Sequence, residues 1–300
     1  MSTGSAAGRV RPPHPVTPYH PLIVNAALTG MVPRRAKVPH VPIEPGEIVE
    51  DSSACAASGA SILHLHARDP LGEPEWRRES YERFLPEIRE RHPELVLCVT
   101  TSGRTFPDLE QRADVLELTG DAKPDMASLT LGSLNLRREA SVNAPDTILR
   151  LAERMGRAGI KPELEVFDSG MAQLAWELLE RGLVEPPLYA NILLGGPNTA
   201  PARVQDLAHL VDSLPEGTVW AAGGFGAFQL AVNGMAVFVG GHVRTGLEDN
   251  PWLEFPRRTP ATNPQLVERM TRLADLAGRE VASPVQARKA LGLPAVPAPA

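Results

Sequence analysis

Short apolar runs rich in β-branched residues alternate with amphipathic segments from residue 22 to about residue 249. Runs of this length with little polar alternation are typical of strands that are covered on both faces. The chain contains eight of them: LIVNAAL, SILHLHA, LVLCVTT, MASLTLG, ELEVFD, LYANILL, TVWAAGG and AVFVGGHV. The pattern therefore predicts a parallel sheet whose strands are joined by helices.

The intervening segments are amphipathic or alanine-rich, which favours helices. Helices are predicted over residues 45–58, 79–91, 145–157, 169–181, 201–214 and 227–233, and after the last strand over 263–276 and 284–291. Gly59, Gly159 and Gly182 stand where a helix must end before the next strand, and glycine is the residue that most readily adopts the left-handed conformation found there.

Eight β–α units in about 230 residues match a closed (β/α)8 barrel, the TIM barrel, here with extra C-terminal helices. A doubly wound open sheet is the alternative. Its dinucleotide motif G-x-G-x-x-G is absent from ALTGMVPRRAKVPHVP, and the G-x-G of AGGFGAF stands late and alone. We expect one domain over residues 19–293, between a disordered tail at 1–18 and a frayed tail at 294–300.

Composition excludes several classes of protein. The net charge is −6 with 22% charged residues and no long run of one sign, which argues against nucleic acid or an anionic membrane as the main partner. No apolar stretch is long enough to span a bilayer, and residues 1–18 lack the apolar segment of a signal peptide, so a cytoplasmic location is expected. Two cysteines, Cys55 and Cys98, form neither a disulfide framework nor a thiolate zinc site.

Polar residues gather at the predicted carboxyl ends of the strands, where TIM barrels carry their chemistry. A buried polar group left unpaired costs about 1–3 kcal/mol, so packing alone does not explain this distribution. The set comprises Asn25, Thr29, His64, His66, Arg68, Thr100, Thr101, Ser102, Ser128, Thr130, Glu163, Glu165, Asn191, His242, Arg244, Glu248 and Asp249.

The segment ILHLHARD places His64 and His66 on the same face of one strand. They could bind one metal ion, or be interior histidines bonded to neighbours such as Thr100 or Glu165. Glu248 follows the eighth run, two strands from the second in a closed barrel. Two histidines and a carboxylate are the ligands of a catalytic zinc site with an open position, although Mn²⁺ or Fe²⁺ also suit them. Alone, Glu248 and Asp249 would be interpreted as a helix N-terminus or solvated loop.

The proline-rich loop VPRRAKVPHVP after the first strand is long enough to be a lid or a binding loop, or a solvated cover of the barrel mouth. Neither G-x-S-x-G nor H-E-x-x-H occurs, which removes common serine hydrolases and zincin proteases.

Residues 22–291 resemble the β-keto acid cleavage enzymes, the family of the 3-keto-5-aminohexanoate cleavage enzyme of lysine fermentation. The motifs are AALTG, PHVPIEPGEI, GASILHLHARD, VTTSGR, PELEVFDSGM, GGHVRTGLEDN and PVQARKALGL. The resemblance implies a zinc-dependent TIM barrel, usually a homotetramer, that converts a β-keto acid and acetyl-CoA into acetoacetate and a new acyl-CoA.

The resemblance also implies roles for individual residues. His64, His66 and Glu248 would hold Zn²⁺, and Arg244 and Asp249 match the catalytic arginine–aspartate pair. Thr100 and Ser128 replace a serine and a threonine of the family and keep both hydroxyls. The remaining residues expected to contact the substrate are Thr101, Ser102, Val32 and Arg34.

Two positions depart from the family pattern. Val32 replaces a glutamate that suits the ammonium group of 3-keto-5-aminohexanoate, so that compound is not the expected substrate. Arg34, Arg35 and Lys37 would suit an anionic distal group, whereas Val32 with Met31 would suit an apolar one. Ala227 stands in GGFGAF where relatives often carry an arginine, which leaves the contacts to coenzyme A unspecified.

The expected chemistry is a Claisen condensation followed by a retro-Claisen cleavage, with Asp249 as the base and Arg244 orienting it and stabilising oxyanions. One alternative is a zinc-dependent aldolase or amidohydrolase that does not need acetyl-CoA. A second is a non-catalytic barrel that binds coenzyme A esters.

Overall fold

The eight predicted runs form a closed barrel of eight parallel strands in a computed structural model that describes residues 19–136 and 139–296. The predicted disordered tail at 1–18 and residues 297–300 of the predicted frayed tail lie outside the described residues. The strands are β1 Val24–Ala27, β2 Ile62–Leu65, β3 Val96–Val99, β4 Met126–Thr130, β5 Lys161–Val166, β6 Tyr189–Leu194, β7 Val219–Gly224 and β8 His242–Thr245.

The β/α alternation and the TIM-barrel fold are confirmed. β8 closes the barrel on β1, with Asn25 level with Arg244, and β1 pairs on its other side with β2, with Ala27 level with His64. This order places β8 two strands from β2, as the sequence analysis expected. The carboxyl ends of β2 and β8 therefore face each other across the short β1.

The helices are α1 Pro45–Ala57, α2 Arg78–Tyr81, α3 Leu85–Arg91, α4 Leu109–Ala113, α5 Pro145–Ala158, α6 Ser169–Glu180, α7 Val204–Ser213, α8 Gln229–Phe238, α9 Asn263–Leu276 and α10 Pro284–Ala290. Each of the eight predicted segments contains a helix, one of them contains two, and α4 was not predicted. Gly159 and Gly182 follow α5 and α6 with φ of 62° and 66°, the left-handed conformation expected there.

Two predicted boundaries were wrong. The helix predicted at 79–91 is broken into α2 and α3, because Pro86 lacks an N–H and its ring would clash with the carbonyl of Glu82 in a continuous helix. Residues 236–238, assigned to the eighth strand, complete α8 instead. A short apolar run is compatible with either a buried strand or a buried helix, so periodicity did not separate them.

The lower half of the barrel is filled with apolar side chains. Ile23, Ile62, Val96 and Met126 pack together inside it, and Ala287 and Leu291 from the region of α10 close the base. The floor of the site therefore rests on a dry, close-packed layer.

Three short hairpins extend the loops at the mouth. They pair Ala67–Arg68 with Pro74–Glu75, Leu134–Asn135 with Ala140–Ser141, and Trp252–Glu254 with Thr259–Pro260. Arg68, on the first hairpin, donates hydrogen bonds to the carbonyls of Gly30 and Pro33 and so fixes the loop that follows β1. Among the described residues, no helix combines the length and apolarity needed to cross a bilayer.

Candidate active site

The two histidines of β2 come together at the centre of the mouth. His64 lies in the strand and His66 directly after it, and the two residues are 1% and 4% exposed. Their Nε2 atoms are 3.2 Å apart. Two ligands about 2.05 Å from a tetrahedral zinc ion are about 3.3 Å apart, so this spacing fits a shared ion.

Glu248 completes the set from the far side of β1. Its Oε1 lies 3.3 Å from Nε2 of His66, and its Oε2 lies 3.8 Å from Nε2 of His64. Oε2 is buried, and the residues that the structure describes offer it no hydrogen-bond partner. A buried carboxylate oxygen without a donor is costly, and a cation bound by the three side chains would satisfy it. The residues present therefore fit a divalent metal ion.

Two glycines allow this arrangement. Gly246 precedes Glu248 with φ of 146°, and a Cβ there would lie 2.0 Å from the carbonyl oxygen of Ala27. At Gly30, φ is 63° and a Cβ would lie 2.5 Å from Cγ of Glu248. Only glycine allows the chain to pass this close. The loop after β1 therefore lies against the carboxylate of Glu248.

Glu163 of β5 lies beneath His64. Its Oε2 is 2.7 Å from Nδ1 of His64, and its Oε1 accepts hydrogen bonds from the side-chain amides of Asn25 and Asn191. A carboxylate bound to Nδ1 holds the proton on that nitrogen and leaves Nε2 free to bind a metal. Burial opposes the charged form, but His64 and Arg244 hold the pKa of Glu163 at about 2.

Arg244 of β8 stands among four carboxylates. Its guanidinium nitrogens lie 3.1 Å from Asp249, 3.0 Å from Glu248, 3.3 Å from Glu165 and 3.8 Å from Glu163. One guanidinium does not balance four carboxylates, three of them buried and Glu248 mostly so. A further cation is therefore electrostatically favoured at this position.

The two carboxylates of the β8 loop are held in different states. Burial raises the pKa of Asp249 to about 6, with a contribution from the charge of Glu248, although Arg244 opposes the shift. For Glu248, the same burial is outweighed by His66, Arg244 and His64, which lower its pKa well below the ordinary value. Glu248 is thus kept as an anionic ligand, while Asp249 is suited to exchange protons near neutral pH.

An open cleft lies over these groups. Eight of the predicted site residues line it: His64, His66, Glu248, Arg244, Asp249, Thr100, Ser102 and Val32. The structure places the other three elsewhere. Thr101 and Ser128 bond to each other below the surface, through Thr101 Oγ1 to the Ser128 carbonyl and the Thr101 N–H to Ser128 Oγ. Arg34 is directed away from the cleft, onto Glu73.

Some residues of the site were not predicted, and one strand-end residue lies at the wrong end. Glu163 was noted only as a polar position and Glu165 also as a possible neighbour of the two histidines, although the E-L-E spacing on β5 puts both on the inner face. Thr130, whose hydroxyl donates to Glu165, belongs to the same group. His242 begins β8 and accepts a bond from the Ile23 N–H at the base, so it takes no part in the mouth.

Comparison with known proteins finds relatives that cover most of the chain. A sequence model described as beta-keto acid cleavage enzyme matches residues 21–293. The chain is 36% identical to a 3-keto-5-aminohexanoate cleavage enzyme of Fusobacterium nucleatum, over 91% of this chain and 98% of that protein. It is also 36% identical to a 3-oxoadipate:acetyl-CoA acetyltransferase of Cupriavidus necator, over 92% and 96%.

More distant proteins share the fold. A 3-dehydrocarnitine:acetyl-CoA trimethylamine transferase of Rhizobium meliloti is 30% identical over 93% of this chain and 99% of that protein. The apo structure of ObcA superimposes with a TM-score of 0.75 at 19% identity, covering 85% of this chain and 66% of that longer chain. A phospho-2-dehydro-3-deoxyheptonate aldolase of Thermotoga maritima gives a TM-score of 0.51 at 15% identity, covering 87% and 71%.

Proposed function

The chain belongs to the β-keto acid cleavage enzymes, and from this premise we propose that it is a zinc-dependent transferase that converts a β-keto acid and acetyl-CoA into acetoacetate and a new acyl-CoA. The observation that carries the proposal is the metal-ligand triad, His64, His66 and Glu248, adjoining the Arg244–Asp249 pair in one cleft. Relatives in the same family are named as acetyl-CoA-dependent transferases, which supports the reaction class.

The triad would hold the metal through both Nε2 atoms and the carboxylate of Glu248. A divalent cation bound there supplies Lewis-acid stabilisation for negative charge on the oxygens of the keto acid. Because Glu163 fixes His64 from below, the ligand nitrogen is oriented before a metal binds.

Asp249 is the proposed base. It removes a proton from C2 of the keto acid, and the resulting carbanion attacks the carbonyl of acetyl-CoA, forming a carbon–carbon bond and releasing coenzyme A thiolate. Arg244 cannot be the base because it stays protonated. It holds Asp249 through Nε and presents positive charge to the oxyanions that form.

The released thiolate then adds to the C3 carbonyl of the original keto acid. The bond between C2 and C3 breaks, which gives the new acyl-CoA and the enolate of acetoacetate. Asp249 returns its proton to that enolate, so the base is regenerated and no oxidant or reductant is needed. The cofactor supplies the nucleophilic sulfur, and the buried Cys55 and Cys98 take no part.

The proposal includes Zn²⁺ as the bound metal and a homotetramer as the assembly. Elemental analysis of the purified protein is expected to give about one zinc ion per chain. Sedimentation or light scattering would test the tetramer separately.

The central test is the requirement for acetyl-CoA. Purified protein is incubated with a panel of β-keto acids, with and without acetyl-CoA, and acetoacetate and acyl-CoA are quantified. We expect both products only with the thioester present. Turnover without acetyl-CoA would indicate an aldolase or hydrolase and overturn the proposal.

A matched pair of variants tests the base. Asp249→Asn is expected to lower kcat by about 10²–10⁴-fold while the zinc content stays unchanged. The control, Asp212→Asn, makes the same change at an exposed position on α7 and should leave kcat unchanged. An active Asp249→Asn enzyme would exclude this residue as the base.

A further inference from the structure

The loop after β1 lies next to the metal ligands, and it presents apolar side chains. Gly30 packs against Glu248, and Met31 and Val32 follow it directly into the cleft. Val32 is 54% exposed and lines the cleft. A substrate held at the triad would therefore meet Met31 and Val32 with the part of its chain that extends away from the reacting carbons.

The nearest arginine on this loop is already neutralised. Arg34 contacts both carboxylate oxygens of Glu73, at 2.5 Å and 3.2 Å, and its Nη1 donates to the carbonyl of Met31. The side chain thus braces the loop from outside. Using it to bind a substrate anion would require breaking the pair with Glu73 and the bond that holds the loop.

Other charged side chains near the cleft are also paired within the chain. Arg104, which lines the cleft, donates from Nε to Glu139 at 2.5 Å. Glu75, in a recess behind Met31, is paired with Arg77 at 2.9 Å. In the described part of the chain, the charges that line the cleft itself outside the triad and the Arg244 cluster thus already have partners of opposite sign. In the recess, Arg112 is buried and donates to the carbonyl of Thr101 and the side chain of Asn143.

The opposite wall is apolar and closely packed. Phe167 and Phe225 are stacked with ring centroids 6.2 Å apart and an interplanar angle of 10°, and Leu193 lies beside them in the cleft lining. A Cβ at Gly196 would lie 2.9 Å from the ring of Phe225, so glycine is needed for the ring to pack there. Both sides of the cleft therefore favour hydrocarbon.

We propose that the substrate is a β-keto acid whose group beyond the C3 carbonyl is an uncharged hydrocarbon chain, and that Val32 selects it. This inference rests on the proposed function, because the triad fixes where the keto acid lies. A charged distal group would lose water beside Val32 and gain no partner.

Equilibrium binding to the zinc-loaded protein tests the inference without turnover. Three ligands with the same six-carbon chain are compared by calorimetry: 3-oxohexanoate, 3-oxoadipate and 5-amino-3-oxohexanoate. We expect the Kd of 3-oxohexanoate to be at least tenfold lower than that of either charged analogue. Equal or tighter binding of a charged analogue would overturn the inference.

Turnover of the same compounds with acetyl-CoA separates the two proposals. Suppose that turnover depends on acetyl-CoA but is faster with 3-oxoadipate or 5-amino-3-oxohexanoate. That result would refute the apolar distal group and leave the proposed reaction standing. The expected order of binding without turnover of any compound supports the apolar site and refutes the reaction.

Val32→Lys places a cation at the proposed distal position without disturbing the core. We expect the ratio of the Kd for 3-oxoadipate to the Kd for 3-oxohexanoate to fall at least tenfold. Leu71→Lys makes the same kind of change at a side chain that is 87% exposed at the tip of the neighbouring hairpin, and should leave the ratio unchanged. An unchanged ratio in Val32→Lys, or an effect confined to the KM for acetyl-CoA, would refute the role of Val32.

Discussion

Arg279 and Arg288 at the base of the barrel have different bonding partners from Arg244 at its mouth. At the base, Arg279 donates to the carbonyls of His20, Val237 and Gly241, and Arg288 donates to those of Glu94 and Leu95. At the mouth, Arg244 lies among four carboxylates.

The difference follows from what each end must satisfy. Carbonyls at chain ends and turns need donors, and the planar guanidinium supplies several from one side chain. The base arginines therefore complete the fold. The mouth instead concentrates more negative charge than its arginine balances, at a cost to stability that a bound cation offsets. The excess of negative charge at the mouth therefore marks it as the end of the barrel that carries the site.

Removing a metal ligand should give the largest effect. His66→Ala is expected to abolish zinc binding and to lower kcat/KM by more than about 10³-fold, because the excess charge then lacks its cation. Elemental analysis and steady-state kinetics measure both. His209→Ala, an exposed histidine on α7, is the control. Full zinc content in His66→Ala would show that the metal is not bound by His64, His66 and Glu248.

A smaller effect on zinc binding is expected from changing Glu163, which lies beneath His64. In Glu163→Gln the amide oxygen must still accept from Asn25 and Asn191, so its NH₂ group faces Nδ1 of His64. This contact makes Nδ1 of His64 an acceptor, so the imidazole proton moves to Nε2, the nitrogen that would bind zinc. Zinc affinity should fall about 10–100-fold by chelator competition. Glu185→Gln, on the surface, should bind zinc normally. Unchanged affinity would mean that Glu163 only fills the core.

Substitution of an arginine at the base of the barrel should lower the stability of the protein without changing its activity. Arg288→Met removes the bonds to Glu94 and Leu95 and the 2.8 Å pair with Asp125, which retains Arg89. We expect the free energy of unfolding to fall by about 2 kcal/mol with kcat unchanged. Lys289→Met is the exposed neighbour for comparison. Loss of zinc in Arg288→Met would show that the two ends are coupled.

The smallest effect concerns Asp51, a partly buried carboxylate on α1. Burial raises the pKa of Asp51 to about 6, and its one described side-chain partner is the amide of Asn263 at 2.6 Å. Since this value lies above that of the unfolded chain, about 3.9, stability falls as the pH rises from about 4 to about 6 and stays lower above that.

Asp51→Asn removes this ionisation. The variant should be more stable than the parent by about 1 kcal/mol at pH 8, because the weaker bond to Asn263 offsets part of the gain. The difference should vanish near pH 4. Denaturant unfolding at both pH values measures it, and a variant that is less stable at pH 8 would contradict the prediction.

Local patterns sufficed for much of the fold and part of the site. Apolar runs, and glycines at the ends of helices, predicted all eight strands and most of the helices. Strands and helices both depend mainly on residues that are neighbours in the sequence. The period of two put His64 and His66 on one face for the same reason. The hydrophobic pattern gave the wrong assignment at residues 236–238, because three consecutive apolar residues show neither a helical nor a strand period.

Side-chain pairing across the barrel could not be read in this way. Glu163 reaches His64 from 99 positions away, and Arg34 turns from the cleft because Glu73 stands 39 positions later. The sequence by itself determined the barrel, the two histidines and the family motifs. Only the tertiary structure decided which carboxylate orients His64, which arginine stays among acids and which side chains face the cleft. The reason is that strand patterns are set locally, whereas the partner of a buried charge is chosen by distance in the folded molecule.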